Sequence, residues 1–113
     1  MTSEELILAM TERIVGMFHP LRVILFGSCA RGEVTRDSDI DLLVELPTVG
    51  NKREQAIAIR RALADFPIGK DIVVTTPEEI ALRGHVVGTI LRPALREGRI
   101  LYDSACYRER QTA

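Results

Sequence analysis

Leu6, Met10, Ile14 and Met17 recur three and four residues apart near the start of the chain, the spacing that puts side chains on one face of an α-helix. Thr2 with Glu5 three residues later reads as a capping box, and Pro20 disfavours helical backbone just before it, so a first helix is expected over about residues 3 to 18. Val23-Ile24-Leu25-Phe26 is an unbroken apolar run closed by Gly27, too short for a helix and suited to a buried strand. Beyond Gly32 a polar stretch leads into Asp39-Ile40-Asp41-Leu42-Leu43-Val44, which alternates at first, is apolar afterwards and is ended by Pro47. This is a second strand with two carboxylates at its start. Ala56, Ile59, Leu63 and Phe66 follow a capping Asn51 at helical spacing, and Pro67 is expected to end that helix. Asp71-Ile72-Val73-Val74-Thr75 is a third strand. Thr76, Pro77 and Glu79 supply a cap, a first-turn proline and an acidic residue three positions on, which together start another helix. A further helix is expected over Val86 to Glu97, weakened by Gly88 and Pro93 and stopped by Gly98. Ile100-Leu101-Tyr102 can add a last short strand before a polar tail.

The two carboxylates change the picture from architecture to chemistry. Residues two apart in a strand share a face, so Asp39 and Asp41 are expected side by side. Neighbouring carboxylates raise each other's pKa unless a highly charged cation sits between them. Magnesium suits such a place, because it takes oxygen ligands and is commonly held by one or two carboxylates together with substrate phosphates. Gly27-Ser28, at the exit of the first strand, can bring backbone N–H groups and a hydroxyl to a phosphate. Asp71, at the start of the third strand, holds a place like that of Asp39 on the second and completes a three-carboxylate cluster if those strands are neighbours.

Gly27-Ser28, ten intervening residues, Asp39-Ile40-Asp41 and a later strand aspartate resemble the polymerase-beta-type nucleotidyltransferase superfamily. The stretch Phe26 to Val44 is most similar to its minimal members, often the antitoxin partners of HEPN-domain ribonuclease toxins. The resemblance spans nearly the whole chain and implies an α+β fold: a small mixed sheet with helices packed on one face. It implies that Asp39 and Asp41 bind two magnesium ions, that Asp71 binds the catalytic one and faces the acceptor, and that Gly27 and Ser28 hold the triphosphate of ATP. The expected product is a partner protein, a HEPN-type toxin, carrying AMP on a hydroxyl. Two other readings stay open: a non-catalytic antitoxin that acts by binding, and transfer to a small molecule.

Bulk properties narrow the setting. With 113 residues the chain suits one domain, expected over residues 1–104 with a tail at 105–113. Fifteen basic against 16 acidic residues leave a net charge of −1, which argues against direct nucleic-acid binding. No apolar run approaches the roughly 20 residues that cross a bilayer, and no signal peptide is visible, so a cytoplasmic protein is expected. Cys29 and Cys106 are too few for a disulfide framework. Arg31 reads equally well as a triphosphate contact and as a surface arginine, Asp37 as a solvated turn residue, and His19 and His85 as solvated or capping groups. Arg60 and Arg61 are read as the wet face of their helix.

Overall fold

A computed structural model describes residues 3–27, 39–83 and 96–105. The order is α1 (Ser3–Phe18), β1 (Arg22–Phe26), β2 (Ile40–Glu45), α2 (Lys52–Ala62), β3 (Lys70–Thr75), α3 (Pro77–Arg83) and β4 (Arg99–Asp103). The four strands form one sheet in the order β3-β2-β1-β4. β1 is antiparallel to β2 and β4, with a register shift between Val23 and Ile24 on the β4 side, whereas β2 and β3 run parallel with α2 as their crossover. The sheet is therefore mixed, within an α+β fold.

Strand alternation sorts the sheet into two faces. Val23, Leu25, Ile40, Leu42, Val44, Ile72 and Val74 point to one side and close a core with Ile7, Met10 and Ile14 of α1, Ile59 of α2 and Leu63 just past its end. Ile24, Phe26 and Leu43 are buried on the other, where Val73 joins them. That second face also carries Asp41 and Asp71, and at its far end the cross-strand pair in which Arg22 donates to the buried Glu45. Among the described residues α1 and α2 cover the first face, as the resemblance implied. Leu42 is fully buried at its centre. Leu42→Ala is expected to cost about 2–5 kcal/mol through lost contacts and an unfilled cavity. In urea titration this should lower the midpoint at unchanged slope.

The caps expected at Asn51 and Thr76 are formed, whereas Thr2, expected to cap α1, lies outside the described residues. The Asn51 side chain accepts from Glu54 N at 3.1 Å at the start of α2, and Thr76 Oγ1 accepts from Glu79 N at 3.2 Å at the start of α3. The Glu79 carboxylate turns elsewhere, accepting from Thr75 Oγ1 at 2.8 Å and pairing with Lys52. Burial pushes this carboxyl up, but the Lys52 and Thr75 hydrogen bonds outweigh it and hold the group below its ordinary range.

Two expectations are corrected. Met17 is 59% exposed, and Phe18, four residues after Ile14, packs on the core instead. His19 then ends α1 with a left-handed backbone at φ 51, the usual conformation just past a helix end. α2 ends at Ala62, well before Pro67, because Leu63 N bonds both Ile59 O and Arg60 O at 3.1 Å and Ala64 N bonds Arg61 O at 3.2 Å. This tightening turns Phe66 and Ile68 back onto the core. The helix expected over Val86 to Glu97 lies mostly outside the described residues, of which Arg96 and Glu97 are helical.

Candidate active site

The three aspartates lie at one end of the sheet, where β1 exits and β2 and β3 begin. Asp41 stands opposite Phe26 of β1 and in register with Asp71 of β3. Asp39 immediately precedes β2, and Ile40 N bonds Gly69 O at 2.9 Å, tying the start of β2 to the turn before β3. Asp71 is therefore the cross-strand partner of Asp41 rather than the counterpart of Asp39. The reason is the register: β2 begins at Ile40, one residue later than the apolar pattern alone marks, and β3 at Lys70, one residue earlier.

Two glycines give the carboxylates room. Gly27 has φ 75, a conformation that L side chains rarely adopt, and a Cβ there would run into Asp41 Oδ2 and lie 3.2 Å from its Cγ. Gly69 has no such backbone demand, yet a Cβ there would overlap Asp39 Oδ1 and lie 3.0 Å from its Cγ. The Asp41 carboxylate thus leans over the exit of β1, and that of Asp39 over the entrance to β3.

Asp41 is half-buried, while Asp39 and Asp71 are exposed. Burial pushes the Asp41 carboxyl above its usual range, and the charges of Asp71 and Asp39 push it further. The three carboxylates are thus coupled electrostatically through Asp41. Among the described residues no three Asp, Glu, His or Cys side chains stand close enough to hold a metal ion between them. Cross-strand neighbours are about 4.8 Å apart along the hydrogen-bonding direction, so rotation of side chains alone can close the gap between Asp41 and Asp71. Hard oxygen donors that repel one another suit a divalent cation.

Ser28 and Arg31 lie outside the described residues, as do Asp37, His85 and both cysteines. Gly69 was missed in the sequence; its only signal was a glycine two residues before Asp71, which by itself reads as an ordinary turn. A cavity of about 350 Å³ lined by Lys52, Thr76, Glu78, Glu79, Leu82 and Arg83 lies at the other end of β3. A six-residue strand, roughly 16 Å at about 3.3 Å per residue, separates it from the aspartates. It has no part in the site.

A family model described as a nucleotidyltransferase domain matches residues 6–97. Among solved structures, the chain is similar to a putative nucleotidyltransferase from Sulfolobus solfataricus, with 21% identity and a TM-score of 0.62 over 89% of this chain and 80% of that one. It is similar also to a chain of a toxin–antitoxin structure with AMP-PNP, at 19% identity and a TM-score of 0.51 over 98% of this chain and 91% of that one. A third likeness is to the toxin–antitoxin MntA-HpeT in a mutant with two Asp-to-Glu substitutions, at 16% identity and a TM-score of 0.51 over 99% and 91% of the respective chains. At these identities the structures show a shared fold. No curated protein sequence matched. No helix among the described residues is long and apolar enough to cross a membrane.

Proposed function

We propose, given that this chain belongs to the nucleotidyltransferase domain family, that it transfers AMP from ATP to a hydroxyl of a partner protein. The partner is a HEPN-type ribonuclease toxin, and the modification neutralises it. The observation that carries the reading is the cluster itself: Asp41 in register with Asp71, Asp39 beside them, and Asp41 held above its ordinary pKa by burial and by both neighbours. The toxin–antitoxin chains that share the fold over nearly the whole length support the choice of partner, as does the resemblance of the Phe26-to-Val44 stretch to minimal nucleotidyltransferases.

Asp39, Asp41 and Asp71 would hold two magnesium ions, which when bound neutralise charge on the attacking and departing oxygens. The acceptor oxygen forms a bond to the α-phosphorus while the bond to the bridging oxygen breaks in line, and pyrophosphate leaves. Asp71 faces the acceptor and takes the hydroxyl proton; its exposure leaves room for a second protein to dock there. Gly27 gives the triphosphate a close approach to backbone, with Ser28 and Arg31 as its further contacts. Holding the hydroxyl in line is the partner's contribution, and positioning of this kind can supply much of a rate.

The test is mass spectrometry of the toxin after co-expression with the unsubstituted protein or with Asp39→Ala. The expected result is a toxin tyrosine bearing one adenylate with the first and none with the second, together with restored toxicity. A toxin that stays unmodified in both and is still neutralised by Asp39→Ala would establish action by binding alone.

A further inference from the structure

The turn between α2 and β3 is tied down more heavily than a connection needs to be. Phe66 N bonds Leu63 O at 3.1 Å and Ile68 N bonds Phe66 O at 2.9 Å. Lys70 reaches back so that its Nζ donates to Ile68 O at 2.8 Å and to Phe66 O at 3.2 Å. Phe66 and Ile68 pack on the core, and the Arg13 guanidinium lies 4.5 Å over the Phe66 ring. Gly69 sits between the carbonyl that Lys70 holds and the strand that carries Asp71, and its own carbonyl accepts from Ile40 N.

We propose that Gly69 and Lys70 are positioning residues for the Asp39 carboxylate: the bare Cα of Gly69 is the surface on which that carboxylate rests, and Lys70 fixes the turn that presents it. The reading rests on the metal site proposed above. The demand for glycine here is steric rather than conformational. Gly27 alone among the described glycines has positive φ, so an L residue can adopt the backbone of position 69. What a Cβ meets is Asp39 Oδ1 and Cγ. The clash falls on the end of a short side chain and not on backbone, so Gly69→Ala is accommodated by moving the carboxylate and leaving the sheet in place. Lys70 acts one step behind: with its ammonium gone, the Phe66 and Ile68 carbonyls lose their shared donor and the turn beneath Asp39 loosens.

The experiment is Mn²⁺ titration by electron paramagnetic resonance on the whole chain, with circular dichroism to follow the fold. The set is the unsubstituted protein, Gly69→Ala, Lys70→Met, Asp39→Ala and the double variant Gly69→Ala/Asp39→Ala. Gly69→Ala should fold and bind Mn²⁺ on the order of 10-fold more weakly, the size common when a group that orients a metal ligand is altered. Lys70→Met should shift affinity in the same direction by less. In the Asp39→Ala background, Gly69→Ala should have no further effect, since the atom it displaces is absent; a merely structural glycine would weaken both backgrounds alike. Equal weakening in the two backgrounds, or unchanged affinity in Gly69→Ala, overturns the inference while leaving the metal site standing. An unsubstituted protein that binds no Mn²⁺ overturns the metal site and this inference together.

Discussion

Asp41→Asn is expected to keep the fold and to lose nucleotidyl transfer by on the order of 10³-fold or more, because preorganised charge at the reacting phosphate is commonly worth that much. In metal-free buffer the variant should melt at a higher temperature than the unsubstituted protein. The sign follows from the carboxyl's raised pKa, caused by burial, then by Asp71 and Asp39. A carboxyl whose folded pKa lies above its unfolded one destabilises the fold when ionised. This penalty is present above the folded pKa and fades as pH falls toward the ordinary carboxylate range. Asparagine removes the charge at every pH. The difference in melting temperature should therefore be largest at neutral pH, shrink on acidification, and reverse or vanish when magnesium occupies the unsubstituted site. Calorimetry across pH with and without Mg²⁺ checks this. An Asp41→Asn protein that melts lower than the parent in metal-free neutral buffer would make Asp41 a structural residue.

Gly27→Ala is expected to act on both stability and activity. Its φ of 75 places the new Cβ in the left-handed region, at a cost of about 1–2 kcal/mol for an L residue. At this chain length each kcal/mol corresponds to a drop in melting temperature of about 4–8 °C. The same Cβ overlaps Asp41 Oδ2, so the carboxylate must swing away from the end of β1. A misplacement of about 1 Å at a reacting centre can cost on the order of 100-fold in rate. Transfer assayed well below the variant's melting temperature separates the two effects. A folded Gly27→Ala protein at full rate would show that Asp41 does its work from another position.

The contrast between the two glycines shows where reading the sequence ran out. Gly27 was legible because it closes an apolar run, is followed by serine and stands twelve positions ahead of an aspartate pair two apart; motif and local conformation agree there. Gly69 carries no local signal, since neither its backbone angle nor its neighbours set it apart from any turn glycine. Only the pairing of β2 with β3 brings Asp39 over it. The end of α2 was misjudged for a similar reason. Leu63 and Phe66 keep helical spacing, but the core to which both belong is reached by Phe66 through a tightened turn and not through continued helix.

By itself the sequence determined the types of the described elements, the Asp39-Ile40-Asp41 triplet at the start of the second strand and membership of the nucleotidyltransferase domain family, because period, caps and motif spacing are local properties of the chain. The tertiary structure decided which carboxylate faces which. The parallel register sets Asp71 against Asp41, closes the turn of Gly69 beneath Asp39 and leaves Asp71 exposed. Register is a relation between segments thirty residues apart in sequence. It is fixed by how Ile40, Leu42, Ile72 and Val74 share one core, since slipping a strand by one residue turns all its side chains to the opposite face.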